Sequence, residues 1–310
     1  MTGHVVVGFD GSEQSVKAVD WAADEARRRR LPLTVLHAVD YLGLLPNAMG
    51  PPGWPAVFAE DAEKVADVGA ARARDRSGDV EVVALTEEAG AARALVEASR
   101  TAALLVVGAH GRGALPGMLV GSVAFTVAGH AHCPVVIVRG DGARRPGPDR
   151  PVVVGFDGSP GSCAAMAHAA DVAAESAAHL MVITAYQPVS PWLLSGSAYS
   201  SNRPDFDAAA RNAARQTAVE GLRIARRHHP ALPATQRAEH GPTAPLLAAA
   251  AQDAGLLVVG SRGHGGFTGL LLGSVGHRLI RVSPCPVVVV HDRTVRAESA
   301  QPFTLVSRPV

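Results

Sequence analysis

The sequence predicts an α/β protein made of two tandem Rossmann-like domains, each a five-stranded parallel sheet of order 3-2-1-4-5 flanked by helices. Three observations predict it. A Val-rich run that ends in Asp10-Gly11-Ser12 recurs as one that ends in Asp157-Gly158-Ser159. A glycine frame also occurs twice. Gly108 and Gly111 are followed by Gly121-Ser122, and Gly260 and Gly263 are followed at the same spacing by Gly273-Ser274. Finally, short apolar runs alternate with stretches of helical periodicity, the pattern of parallel strands joined by right-handed helical crossovers. A repeat this long joins whole domains rather than solenoid units, and 310 residues accommodate two domains of ordinary size.

The first strand covers 4–9, an apolar run with no polar face. Ser12 suits an N-cap, and Val16, Val19, Ala23 and Ala26 follow at helical spacing. A second strand covers 33–39, and a proline-rich loop carrying Trp54 spans 40–59. A helix over 60–76, a strand over 79–86, a helix over 90–101 and a strand over 103–107 lead into the glycine frame. A helix from Gly121 and a strand over 134–138 close the domain. The second half repeats this order with strand 152–156, helix 160–177, strand 180–186, a loop over 187–204 carrying Trp192, and helix 205–228. It continues with a weak strand over 233–239, helix 243–253, strand 256–259, the second frame, a helix from Ser274 and strand 286–290. The domains are expected over 1–140 and 151–293, joined by a polar Gly/Pro linker over 139–150, with an irregular tail over 294–310. Val135–Val138 and Val287–Val290 are too apolar to remain open sheet edges. The two halves are therefore expected to pair through these strands as an intramolecular pseudo-dimer.

Composition excludes several functions. Lys and Arg number 29 against 28 Asp and Glu, so charge makes no case for nucleic acid or an anionic membrane. No apolar run is long enough for a membrane span. The first strand begins at Val5, which leaves no room for a leader, and the three cysteines lack metal-ligand spacing. A cytoplasmic location is the expectation. Neither first strand is followed by the Gly-rich fingerprint of dinucleotide oxidoreductases, and no Lys-bearing P-loop is present. No carboxylate pair presents itself as a base or two-metal site, so catalysis is not expected.

In a doubly wound sheet the ligand lies beyond the carboxyl ends of the strands, where strand order reverses. Asp10 ends the first strand and Gly108 the fourth, so both flank that point. Glycines allow backbone to approach phosphate oxygens, and a helix N-terminus adds free N–H groups and a positive dipole end. The bare alternative for the glycines is a tight turn. His110 and Arg112 become Arg262 and His264 in the second copy, and an arginine there could reach a phosphate.

Asp10 after a Val-rich strand, the frame from Gly108 to Ser122 and the closing strand from Pro134 resemble the universal stress protein family. Both halves match, so the resemblance covers nearly the whole chain and implies the tandem, ATP-binding form. It implies a non-catalytic, ATP-binding regulator of stress or dormancy, with Mg²⁺ held mainly through the triphosphate and water. It further implies a regulatory protein partner and allows a homodimer. In the first half the resemblance assigns the nucleotide to Asp10, Val39, Val107, Gly108, Gly111, Gly121, Ser122 and Val123. In the second half it assigns Asp157, Tyr186, Val259, Gly260, Gly263, Gly273, Ser274 and Val275. Asp10 and Asp157 would accept ribose hydroxyls, or merely form Asx turns. Ser122 and Ser274 would donate to a phosphate, or merely cap their helices. Two rival readings stay open: a slow ATPase or nucleotidyl transferase of similar fold, and a nucleotide-free protein-interaction module.

Overall fold

Val5, Val6 and Val7 are all fully buried, so the first strand is covered on both faces. That is why it reads as an unbroken apolar run rather than an alternating one. The computed structural model describes residues 3–40, 54–113, 120–140, 144–187, 197–264 and 271–292. The first half runs β1 (Val5–Gly8), α1 (Glu13–Arg29), β2 (Leu33–Ala38), α2 (Trp54–Ser77), β3 (Val82–Glu87), α3 (Ala91–Ala98), β4 (Leu104–Gly108), α4 (Ser122–His130) and β5 (Val135–Val138). The second half runs β6 (Val152–Gly155), α5 (Pro160–Glu175), β7 (Leu180–Tyr186), α6 (Ser197–His228), β8 (Ala234–His240), α7 (Thr243–Ala250), β9 (Leu256–Gly260), α8 (Ser274–Val282) and β10 (Val287–Val290).

All ten strands join one sheet of order β3-β2-β1-β4-β5-β10-β9-β6-β7-β8. Each half has the predicted 3-2-1-4-5 order, and every pairing within a half is parallel. β5 and β10 meet antiparallel at the centre, with Val136 opposite Val288. One core lies under α1, α2, α5 and α6, where Trp21, Ala70, Met166 and Ala225 pack. The other lies under α3, α4, α7 and α8, built from residues such as Leu95, Val127, Leu247 and Ile280. Cys133 and Cys285 are buried thiols just before the closing strands.

The sequence misplaced two helix starts. α2 begins at Trp54, within the predicted loop. Pro55 is tolerated there because a first-turn N–H has no intrahelical acceptor to lose. α6 begins at Ser197 and passes through Pro204, which had marked the end of a loop. The proline removes one N–H and crowds one carbonyl, a local cost within a helix of 32 residues. Residues 41–53 of the first loop lie outside the described residues, as do 188–196, with Trp192, and the tail over 294–310. The described part of the linker from Arg144 is docked. Arg145 sits 5.2 Å from the centre of the Trp21 ring and 3.2 Å from Asp24. Behind it, a Cβ at Gly255 would collide with the Arg145 carbonyl.

The central pairing leads to a test. A chain cleaved in the linker should keep its halves together on size exclusion. Val288→Pro removes a ladder donor from a strand paired on both sides and should let the cleaved halves separate. Separation of the cleaved halves without the substitution would refute this.

Candidate functional site

β1 feeds a tight turn into α1. Gly11 has φ 78°, a left-handed conformation that favours glycine. Ser12 caps α1, its hydroxyl accepting the Ser15 N–H at 3.2 Å. Asp10 Oδ1 accepts the Ser12 N–H at 2.9 Å, which is the Asx turn left open by the sequence. Oδ2 does something further: it accepts the Arg112 N–H at 2.8 Å, tying the end of β1 to the loop after β4. Burial alone would raise the Asp10 pKa, but the hydrogen bonds from Ser12, Arg112 and Ser15 together outweigh it and hold it below the ordinary value. The group is therefore an anion near neutral pH, and each oxygen keeps capacity for another donor.

The glycines of the frame divide by physical cause. A Cβ at Gly111 would come within 2.5 Å of Asp10 Oδ2, and one at Gly108 within 2.8 Å of the Gln14 carbonyl. Those two are glycine because the protein packs against itself there. Gly121 differs. Its φ of −79° suits any residue, and the nearest atom to an added Cβ would be 3.7 Å away. It caps α4 without any side-chain hydrogen bond. Among the described residues, nothing fills the space that an added side chain would take before the first-turn N–H groups of that helix. Ser122 is the first helical residue, so it is not the N-cap that one sequence alternative proposed.

These groups line a single cleft of about 290 Å³. Of the first-half candidates, Asp10, Val107, Gly108, Gly111, Gly121, Ser122 and Val123 form its wall. Val39 lies just past it, with its N–H donated to the Glu87 carbonyl at 3.0 Å. The preceding Leu36, His37 and Ala38 line the cleft instead. Ala91 and Leu95 of α3 complete an apolar wall that the sequence did not single out. Their helical spacing was legible, but the direction in which α3 faces depends on how β3 and β4 place its ends.

The second half repeats the carboxylate geometry, but the cleft of about 240 Å³ there is lined by Ser159, Gly161, Ser261, Arg262 and His291, with Gly263 from the predicted set. Asp157 Oδ1 accepts the Ser159 N–H at 3.0 Å and its hydroxyl at 2.5 Å, and Oδ2 accepts the His264 N–H at 3.3 Å. Its pKa is likewise lowered, burial being outweighed by bonds from Ser159, Ser162 and His264. A Cβ at Gly263 would strike the Asp157 carboxylate, and one at Gly260 the Gly161 backbone at 2.5 Å. Gly273 again has an ordinary φ of −69°, and among the described residues the nearest atom to an added Cβ is the Ser261 carbonyl oxygen at 3.5 Å. Ser274 and Val275 open α8 behind it, and Val259 is buried near the end of β9. Tyr186 ends β7, its hydroxyl accepting from Arg211 Nε at 3.2 Å. The swapped side chains take different seats. The Arg112 guanidinium covers Gly11, whereas His264 Nε2 donates to the Asp157 carbonyl at 3.1 Å. Among the described residues no group of three His, Cys, Asp or Glu is placed to hold a metal ion.

Fold and site define a tandem Rossmann-like protein with a glycine frame at each switch point. The chain belongs to the universal stress protein family, whose sequence profile matches residues 1–139 and again 150–291. A universal stress protein of Mycobacterium tuberculosis is 35% identical over 300 residues, covering 93% of this chain and 96% of that protein. One from Mycolicibacterium smegmatis is 32% identical over 298 residues, covering 93% and 97%. A crystal structure of a universal stress protein from Archaeoglobus fulgidus superposes with a TM-score of 0.66 at 20% identity, over 94% of this chain and 99% of that one.

Proposed function

We propose that the protein is a regulatory ATP-binding member of its family that holds a nucleotide in each half without turning it over. The observation that carries this reading is the pair Gly121 and Gly273. Neither backbone conformation nor packing against the described residues requires glycine there, and neither N-cap makes a side-chain hydrogen bond, which suits an anion at the helix N-terminus. In the first half β2, β1 and β4 lie side by side, with their ends about 5 Å apart. That succession suits base, ribose and phosphates in turn. The base lies against Leu36, Ala38 and Leu95, the ribose hydroxyls donate to Asp10, and the phosphates meet α4 at Gly121 and Ser122. Mg²⁺ would be held by the phosphates and water rather than by a protein cage.

Bound nucleotide stabilises the state that binds it and so couples cellular nucleotide to conformation, the property a regulator needs toward a protein partner. No helix among the described residues is long and apolar enough to cross a membrane, and we place this regulator in the cytoplasm. Protein purified after incubation with ATP and then denatured should release adenine nucleotide approaching two per chain, identified by mass spectrometry. Nicotinamide, flavin or no ligand at all would sink the reading. Sustained phosphate release from ATP would move the protein to the slow-ATPase alternative.

A further inference from the structure

A second cleft, of about 610 Å³, lies on the other side of α3 from the first-half cleft. Ala91 and Leu95 of that helix line the first cleft, whereas Arg93, Ala94 and Glu97 line the second. Its floor is the outer part of the sheet. The parallel register sets Val83 beside Thr34 and Leu85 beside Leu36, so all four share one face of β2 and β3. Leu36 is buried in the same core as Leu95. Beyond Leu36 the described helices leave that face open. α2 packs on β3 from the opposite side, and α3 packs on β1 and β2. Val83 and Leu85 are accordingly 45% and 37% exposed. Neighbouring strands lie roughly 4.8 Å apart, so the bare strip over β2 and β3 is about one helix wide. The second half has the same open strip and treats it as surface. There the register places Thr235 and Arg237 where the first half has Val83 and Leu85. An outer strand of this fold is thus polar where it faces only water, and the adjacent apolar pair on β3 marks a contact. The rim of the cleft also has a sign. Asp40, Glu87, Glu88 and Glu97 line it against one arginine, Arg93. Glu97 is engaged with Arg100 at 2.8 Å. Glu87 and Glu88 are exposed and, among the described residues, enter no ion pair.

We infer that this strip is a docking surface for a basic amphipathic helix of a partner protein. Laid along β2 and β3 beside α3, such a helix adds a further member to the helical layer on this face. Its apolar side covers Val83 and Leu85, and its lysines or arginines meet Glu87 and Glu88 at the end of β3. The acidic rim repels nucleic acid and anionic lipid, which leaves a cationic protein segment as the occupant. The inference goes beyond the nucleotide reading and does not need it, because the strip is defined by one face of the sheet and not by the glycine frame.

Three fluorescent peptides of equal length make the test. Two carry leucines on one helical face, with lysines on the other face of the first and glutamates on that of the second. The third has the composition of the lysine peptide in an order without helical periodicity. Binding to the full chain is followed by fluorescence anisotropy at low ionic strength. The lysine helix should bind at least about tenfold more tightly than either of the others. The double variant Val83→Thr with Leu85→Arg borrows the residues the second half uses, so its melting temperature should match that of the wild type. It should weaken the lysine helix at least about tenfold. Glu87→Lys with Glu88→Lys should weaken it as much and improve the glutamate helix. No binding of the lysine helix to the wild type would overturn the inference. Equal binding of the lysine helix and its scrambled form would overturn it too, as would equal binding of that helix by the wild type and both double variants. Self-association of the wild type in sedimentation equilibrium, lost in the Val83 and Leu85 variant, would also overturn it, because the occupant would then be a second copy of this chain.

Discussion

Gly121→Glu should remove nucleotide binding from the first half and leave the second half unaffected. Among the described residues the substituted side chain has room, with the nearest neighbour of its Cβ at 3.7 Å. A carboxylate at the start of α4 also suits the helix dipole, so the fold should tolerate it. The same carboxylate occupies the space before the first-turn N–H groups and repels a triphosphate. Like charges at such short range cost several kcal/mol, an affinity loss of at least about a hundredfold. Stoichiometry by calorimetry should fall from two to one, with the melting temperature of the unliganded protein almost unchanged. Gly273→Glu should do the same to the other half, and the double variant should bind nothing. Two full sites in either single variant would show that the phosphates lie elsewhere.

Glu25→Gln should be the most damaging single charge removal for stability. Glu25 is 5% exposed on α1. Its Oε1 accepts from Arg28 Nη2 and Arg29 Nε at 2.6 Å each, and its Oε2 accepts from Arg28 Nε at 2.9 Å. Arg28 then reaches across to Glu175 of α5 at 2.6 Å, so the cluster bridges the two halves. Taking away the central anion leaves two largely buried guanidinium groups without it, at a cost of about 3 kcal/mol. Burial would raise the Glu25 pKa, but the two arginines outweigh it and the net shift is downward. A carboxylate whose pKa is lowered by folding contributes stability that is present above the ordinary glutamate value, about 4.3. That contribution fades as pH falls through the lower folded value. The wild type should therefore lose stability toward acid more steeply than the variant, and the two melting curves should converge there. A variant that melts within a degree of wild type at neutral pH would refute the argument.

Much of the fold was legible because its strands are buried on both faces. Runs such as Leu104–Gly108 and Val287–Val290 carry no competing polar pattern. β8 was the faintest strand in the sequence, and it is an edge strand whose Thr235, Gln236 and Arg237 face water. Its identity comes from pairing with β7, not from its own residues. The helix starts at Trp54 and Ser197 were hidden by prolines that break helices in isolation but not in long packed ones. At the site, Asp10 and the glycine frame stood out because their spacing repeats. The sequence could not separate Gly111, which makes room for a carboxylate, from Gly121, which makes room for nothing among the described residues.

The antiparallel junction of β5 with β10 has a consequence for inheritance. In a symmetric pair of identical chains every substitution arrives in duplicate, so a change that suits one copy must be endured by the other. Here the two copies share one continuous sheet through Val135–Val138 against Val287–Val290, and each side is encoded separately. Drift on one side is free of the other wherever the seam is respected. His37 where the other half has Thr184, Arg112 where it has His264, and Leu85 on one outer strand where Arg237 stands on the other are differences an obligate homodimer could not hold. Fusion thus turns a redundant pair into two specialists bound at a fixed one-to-one ratio.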